Sequence, residues 1–595
     1  MATKYLAITI AGAVSLGSYE AGATYEILDA IRQHNEHPDT IKNGDYIRID
    51  VLTGASAGGM TAAILAQKLL FQRDAFVGPD GKSSPYANPL YDCWVKNISL
   101  AGLVDTVDKP VPDGDPAILS LLSSNLIERL ARKTLEETDA SGQIPTIGGT
   151  HNCVDPQRGI RLGLALTNIN GLNYGYKMFD GTDFLYTDFS DQLNRLLPVT
   201  DRSLDTWQPI GEAAVACGAF PFAFRTKDLN RLRTEFGETL EPWPGDPDAH
   251  TFTYTDGGVL QNQPLGMAKN LVDENDNHLD NDQRFYLFVS PSSMKGTQNL
   301  SLDEDNTTLI DIGKRLLETY IGQAVFRDWI EAEQVNVQID LLDLRAKELT
   351  SALTSGTIDA AELASTSQQI LLLMYPAAPA GQSKAGEETE QQALTRLARQ
   401  YADEIQSLGG DSTLKAIAFL HGILTLEKAA NLGERDRMRI YGIVTDAEKL
   451  AGAGLFAFIG FFDQVFRDHD YDWGRTIAQQ LLAKPLFQAP GQLGPIRYTP
   501  AAIRPINAAL SGILLKDIPK ADVNTLRVGL IRRAKQIIAD KYSNPLLRIP
   551  INLGASLALK ALIDWEFSLN KQGIAASKSN GNDETGWGGP RIISR

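Results

Sequence analysis

Cysteine, histidine, basic charge and long apolar runs are all scarce in this 595-residue chain, and each shortage removes a class of function. The three cysteines, Cys93, Cys153 and Cys217, are widely spaced and form no ligand pairs. That excludes a disulfide framework or a cysteine metal site and predicts free thiols in a reducing compartment. Asp and Glu outnumber Lys and Arg by 73 to 56, a net charge of −17, so nucleic acid is not expected as a partner. The same balance disfavours broad adhesion to anionic lipid, although a local basic or apolar patch is still compatible with docking on a membrane. No segment reaches the roughly 18–20 apolar residues of a membrane span. The closest, Ala451 to Phe462 (AGAGLFAFIGFF), reads first as a buried helix and only secondarily as an interfacial anchor. The N-terminal run Tyr5–Ala11 follows a single lysine and enters a glycine-bearing turn, so it reads as a buried strand and not as a signal peptide. The expected location is cytoplasmic, with peripheral contact at a membrane surface.

What the chain does hold is an α/β pattern followed by a helical one. Tyr5–Ile10 and Ile47–Thr53 read as strands, each followed by a helical pattern, Tyr19–Arg32 and Gly58–Phe71. Ile160–Leu166 and Phe285–Val289 are further β-rich runs. Strands separated by helices of this length predict a mostly parallel sheet between helical layers. Residues 74–115 are rich in Pro, Gly, Ser and Asp and read as a loop-rich insertion. The expected organisation is a hydrolase domain over 1–300, a mainly helical extension over 301–576 and a polar tail over 577–595. A mobile linker is expected near 376–392, and the extension is expected to cover or shape the entrance to the site.

The residues that carry chemistry begin with Gly54-Ala55-Ser56-Ala57-Gly58-Gly59, between a strand and a helix. A serine on such a turn exposes its hydroxyl, Gly54 and Gly58 let the backbone turn tightly, and the helix N-terminus favours developing negative charge. Serine needs a base. Of the histidines His34, His37, His151, His250, His278, His421 and His469, none stands in a recognisable catalytic context. Asp256 does: it closes a short β-like run and is followed by Gly257 and Gly258, then by the extended Leu260–Pro264. A third element, Gly12-Ala13-Val14-Ser15-Leu16-Gly17, follows the first strand, where backbone N–H groups aimed near Ser56 would form an oxyanion hole. Taken alone that turn reads as a plain strand–helix connection. Gly410-Asp411-Ser412-Thr413-Leu414 resembles the start of another lipase class, but it precedes a helical run, so Asp411 or Ser412 reads as an N-cap.

The ordered set of a glycine turn, G-x-S-x-G after the next strand and a late D-G-G resembles the patatin-like phospholipases. Ala213–Phe222 looks like the family's helix-then-proline block, and Leu164–Gly171 like its central strand and turn. The resemblance covers roughly residues 4–290. It implies a three-layer α/β/α fold and a Ser56–Asp256 dyad, with Gly12, Ala13 and Val14 as oxyanion amides. It also implies a lipid ester, most of all a glycerophospholipid, as substrate, and no cofactor or metal. The family turn usually reads G-G-G-x-[K/R]-G, and here Leu16 stands in the basic position. The form A-V-S-L-G-x-Y-x-x-G is similar to a bacterial patatin-related subgroup with a long C-terminal extension. Phe461-Phe462 and Asp470-Tyr471-Asp472-Trp473-Gly474-Arg475 look like that extension's motif. Within the motif, Arg475 reads as a structural bridge between helices. Two alternatives stay open: a lipid-binding protein on a degenerate patatin fold, and a Ser–His–Asp esterase that recruits His278 or His421. Oligomeric state is not legible.

Overall fold

The computed structural model describes residues 3–104, 119–178, 182–236, 243, 248–275, 283–292, 309–374, 389–410, 413–430, 432, 438–488, 491–514 and 517–541. The chain forms two compact units, one of residues 1–278, 285–325 and 440–595, the other of 279–284 and 326–439.

In the first unit, strands β1 (Lys4–Ile10) and β2 (Ile47–Gly54) pair in parallel, and β2 pairs in parallel with β3 (Ile160–Lys177). Then come β4 (Asp183–Leu197), β5 (Lys227–Leu232), β6 (Ala249–Asp256), β7 (Arg284–Ser290) and β8 (Ile440–Val444). Among the described residues these eight strands form one sheet in the order β5-β6-β3-β2-β1-β7-β8, with β4 alongside β3. The sheet is mixed but mostly parallel, antiparallel pairing being confined to the β3, β4, β5 and β6 side. β2 is almost wholly buried, as a parallel strand covered on both faces must be. Helices complete the three-layer α/β/α arrangement: α1 (Gly17–Glu36), α2 (Ala57–Phe71), α3 (Leu204–Cys217) and α4 (Leu265–Asn275). All of α2 is buried, which its apolar, alanine-rich sequence permits on every face.

The elements expected over Tyr5–Ile10, Tyr19–Arg32, Ile47–Thr53, Gly58–Phe71 and Phe285–Val289 are present, with ends shifted by a few residues. Three expectations need correction. The run Ile160–Leu166 does not end in a turn at Asn168–Gly171. There Asn168 Oδ1 accepts the amides of Asn170 and Gly171 at 3.0 and 3.2 Å, making a bulge, and β3 continues into a long hairpin with β4. Ala451–Phe462 is not one buried helix but two short turns, Gly454–Ala457 and Ile459–Phe461, broken where Ala457 takes φ 64°. The stretch beyond 300, read as helical, also supplies β8 to the sheet. The described part of the 74–115 segment is compact, with Trp94 packed so closely on Gly17 that a Cβ there would meet its ring at 2.6 Å. Residues 105–115, most of the expected linker and the tail 577–595 lie outside the described residues.

The second unit holds the C-terminal part of α5 (Leu309–Ser355), then α6 (Ala360–Met374), α7 (Glu390–Gln400) and α8 (Leu414–Ala429) around its own core of Leu342, Ala346, Leu371, Leu397, Phe419 and Ile423. Thr389 and Gln392, inside the expected linker, make a reciprocal cap that opens α7. Asp411 and Ser412 are outside the described residues, and it is Thr413 that caps α8.

Back in the first unit, α9 (Gln464–Leu482) lies against α1. Glycines stand at the crossings: a Cβ on Gly22 would collide with the Tyr471 carbonyl, and one on Gly474 with that of Tyr19. Arg475 bridges the two helices as expected, its Nε donating to Glu26 Oε2 at 2.9 Å with both side chains buried. Helix α10 (Lys520–Lys541) closes the described chain.

Candidate active site

Three turns meet at the C-terminal ends of β1, β2 and β6. Ser56 stands between β2 and α2 with φ 51° and ψ −127°, a backbone conformation that costs a side-chain-bearing residue about 1–3 kcal/mol. The surrounding glycines make it attainable. A Cβ on Gly54 would strike the Gly58 carbonyl, and one on Gly58 would strike the carbonyls of Ile10 and Ala11. Gly59 lies against Cys217 Sγ, and burial pushes that thiol far above its usual range, so it stays neutral. The turn therefore presents the Ser56 hydroxyl at the head of α2, within reach of the end of β6.

Asp256 ends β6, where its N–H donates to the Ala219 carbonyl at 3.0 Å and its carbonyl accepts the Thr167 hydroxyl at 2.9 Å. The helix-then-proline block thus anchors the aspartate's backbone. Ser56 Oγ donates to Asp256 Oδ2 at 2.6 Å, and Gly258 N–H donates to Oδ1 at 2.7 Å. Gly257 is required by close approach, since a Cβ would collide with the Ala165 carbonyl. Asp256 is 1% exposed, and burial raises its carboxyl to about 7, the Ser56 hydroxyl and Gly258 amide opposing the rise. Such a carboxyl can both take and return a proton near neutral pH.

The Gly12–Gly17 turn adjoins this pair. A Cβ on Gly12 would come within 3.1 Å of Ser56 Cβ and would collide with the Asn262 side chain. The Gly12 N–H, expected to face an oxyanion, is instead spent on the Asn262 carbonyl at 3.0 Å. No hydrogen bond engages the amides of Ala13 or Val14 among the described residues. Val14 takes φ 51°, an uncommon state for a β-branched residue. Gly17 opens α1.

Asn262 was not singled out in the sequence. Its side chain lies against Gly12 and also against Gly258, where a Cβ would meet Oδ1 at 2.7 Å. The only signal for it is its place six residues after Asp256, in a stretch read merely as extended. The histidines keep other company. His34 Nε2 pairs with the Asp45 carbonyl at 2.9 Å, His151 Nδ1 accepts the Cys153 amide at 3.2 Å, and His469 Nδ1 pairs with Asp470 at 3.0 Å. His421 belongs to the second unit, and His278 lies outside the described residues. No three His, Cys, Asp or Glu side chains gather as a metal-ligand set among the described residues.

With this geometry in view, residues 8–269 match the patatin-like phospholipase family. That stretch is a patatin-like phospholipase domain. The patatin-like domain contains all three turns, and lipid-ester hydrolysis is the family's general activity. A Sinorhizobium fredii protein, "Uncharacterized protein y4iI", is 21% identical over 411 residues, covering 55% of this chain and 54% of that protein. The chain thus spans about half the length of this curated relative. The crystal structure of VipD from Legionella pneumophila is 12% identical, covering 71% of this chain and 90% of that one at a TM-score of 0.17, too low to carry an argument.

Proposed function

We propose that the protein cleaves carboxylic esters of glycerophospholipids, with Ser56 as nucleophile and Asp256 as its base. The observation that carries this reading is the 2.6 Å hydrogen bond from Ser56 Oγ to Asp256 Oδ2, inside a domain of this family. Ser56 Oγ attacks the acyl carbon while its proton passes to Asp256, and the oxyanion forms toward the Ala13 and Val14 amides. Collapse expels the alcohol, which takes the proton from Asp256 and leaves an acyl-serine. Water then gives a proton to Asp256 and attacks the acyl-serine. Release of the fatty acid restores the Ser56 hydroxyl. The amides of Ala13 and Val14 are the donors of this reading. Gly12 serves it by lacking a side chain, so that Ser56 and Asn262 can approach.

Peripheral contact with a membrane belongs to the same proposal. Phe222 is 82% exposed and stands three residues beyond Ala219, the anchor of Asp256. No described helix is long and apolar enough to cross a membrane. Incubation with phosphatidylcholine vesicles, read by mass spectrometry of the lipid products, tests the proposal. Lysolipid and free fatty acid are expected from the wild type and neither from Ser56→Ala or Asp256→Ala. Full turnover by both variants would sink it.

A further inference from the structure

The segment Ala451–Phe462 comes from far along the chain, yet it touches the surroundings of Ser56 from two directions. On one side the Ser15 hydroxyl donates to the Ala457 carbonyl. Gly460 lies beside the same serine, where a Cβ would stand 2.5 Å from Ser15 Oγ, and a Cβ on Gly452 would meet Leu16 Cδ2 at 3.0 Å. On the other side the Phe458 and Phe220 rings meet edge to face with centroids 5.9 Å apart. Phe220 follows Ala219, whose carbonyl holds the Asp256 amide.

Two short helical turns have little rigidity of their own. What ties the segment down is Asp470 on α9. Its Oδ1 accepts the Ala451 amide at 2.7 Å and its Oδ2 the Gly452 amide at 2.8 Å, with His469 Nδ1 at 3.0 Å as a third partner. Asp470 is fully buried, and backbone bonds to a carboxylate in a dry setting are short and strong.

We propose that Asp470 and Ser15 are positioning residues for ester hydrolysis: Asp470 fixes the Ala451–Phe462 segment, and Ser15 couples that segment to the turn presenting the Ala13 and Val14 amides. The proposal rests on the Ser56–Asp256 reading above. Its physical need is plain, because Val14 at φ 51° does not hold that turn by its own preference. Oxyanion donors act only when held at hydrogen-bond distance from the developing charge. The departure from the family's basic residue also gains a meaning, since Leu16 is a buried apolar surface on which Gly452 packs.

The test uses the full chain with Ser15→Ala and Asp470→Asn. An asparagine offers one acceptor where two amides need two. With p-nitrophenyl butyrate, kcat is expected to fall about 10–100-fold in each, in the range of a weakened oxyanion hole, while KM stays within about twofold. The rate of Ser56 labelling by a fluorophosphonate, whose phosphoryl oxygen uses the same amides, is expected to fall by the same factor. The unfolding midpoint of Ser15→Ala is expected to stay at the wild-type value, so that variant decides the matter if Asp470→Asn does not fold. An active wild type with unchanged kcat in Ser15→Ala would overturn this proposal alone, as would a loss of kcat matched by loss of fold. A wild type that hydrolyses no ester and is not labelled at Ser56 would overturn the dyad reading and this proposal together.

Discussion

The Ser56 turn and the Gly12–Gly17 turn invite comparison, because they leave neighbouring parallel strands and each forces a side-chain-bearing residue, Ser56 and Val14, to φ 51°. They differ in what braces them. Ser56 is held by the glycines of its own motif, Gly54, Gly58 and Gly59, which let that turn close on itself and pack against β1 and Cys217. Val14 sits in a turn held from afar, by Asn262 on one side and by Ala457, Gly460 and Gly452 on the other. A turn that aims a side chain can be specified by its own glycines. A turn that supplies backbone amides depends on whatever packs behind it.

Breaking the Ser56 turn or its partner carboxylate should have the largest effect. Asp256→Asn keeps the shape but removes the base, and kcat for ester hydrolysis is expected to fall about 10²–10⁴-fold. The same variant should be more stable at pH 8. A carboxyl raised from 3.8 to about 7 gives the native state more bound protons than the unfolded chain between those values, so its ionisation costs stability as pH rises. The gain from asparagine should be absent below pH 4 and complete above about 7, which urea unfolding at both ends would check. Gly58→Ala drives a Cβ into the carbonyls of Ile10 and Ala11, backbone atoms that cannot give way, and should cost about 3 kcal/mol or more.

Cutting the distant bracing should cost comparably in stability. Arg475→Met leaves Glu26 buried without its cation and is expected to destabilise the chain by about 3–5 kcal/mol, measured by denaturant unfolding. The smallest expected effect on stability sharpens the comparison most. Ser56→Gly relieves the φ 51° strain and should raise stability by about 1 kcal/mol while abolishing hydrolysis. Stability unchanged or lowered by that variant would mean the turn is not strained by its serine.

The contrast also explains what was legible in the sequence. Ser56, Asp256 and their glycines could be read because each sits in a short motif whose residues touch one another. The fold class followed from apolar runs alternating with helical spacing. Strand β4 could not be read, because Phe184, Leu185, Tyr186 and Phe189 are all exposed on its hairpin arm, so its apolar residues do not alternate between a buried and an open face. β8 is only Ile440–Val444, some 150 residues from its partner β7, and nothing local marks so short a strand. The loss of the Gly12 amide to Asn262 was hidden for the same reason, since the contact joins residues 250 positions apart. The motif at Asp470–Arg475 was visible, but its work was not: Gly474 and Arg475 fasten α9 to α1, and Asp470 fastens the Ala451–Phe462 segment.

The most direct measurement is fluorophosphonate labelling of the full chain across pH, with the adduct located by peptide mass. The expected result is a single adduct on Ser56, formed at a rate that rises through about pH 7 as Asp256 ionises and suppressed in Asp256→Asn. An adduct on another residue, or labelling of Ser56 that ignores both pH and the Asp256 substitution, would contradict a nucleophile whose base is Asp256.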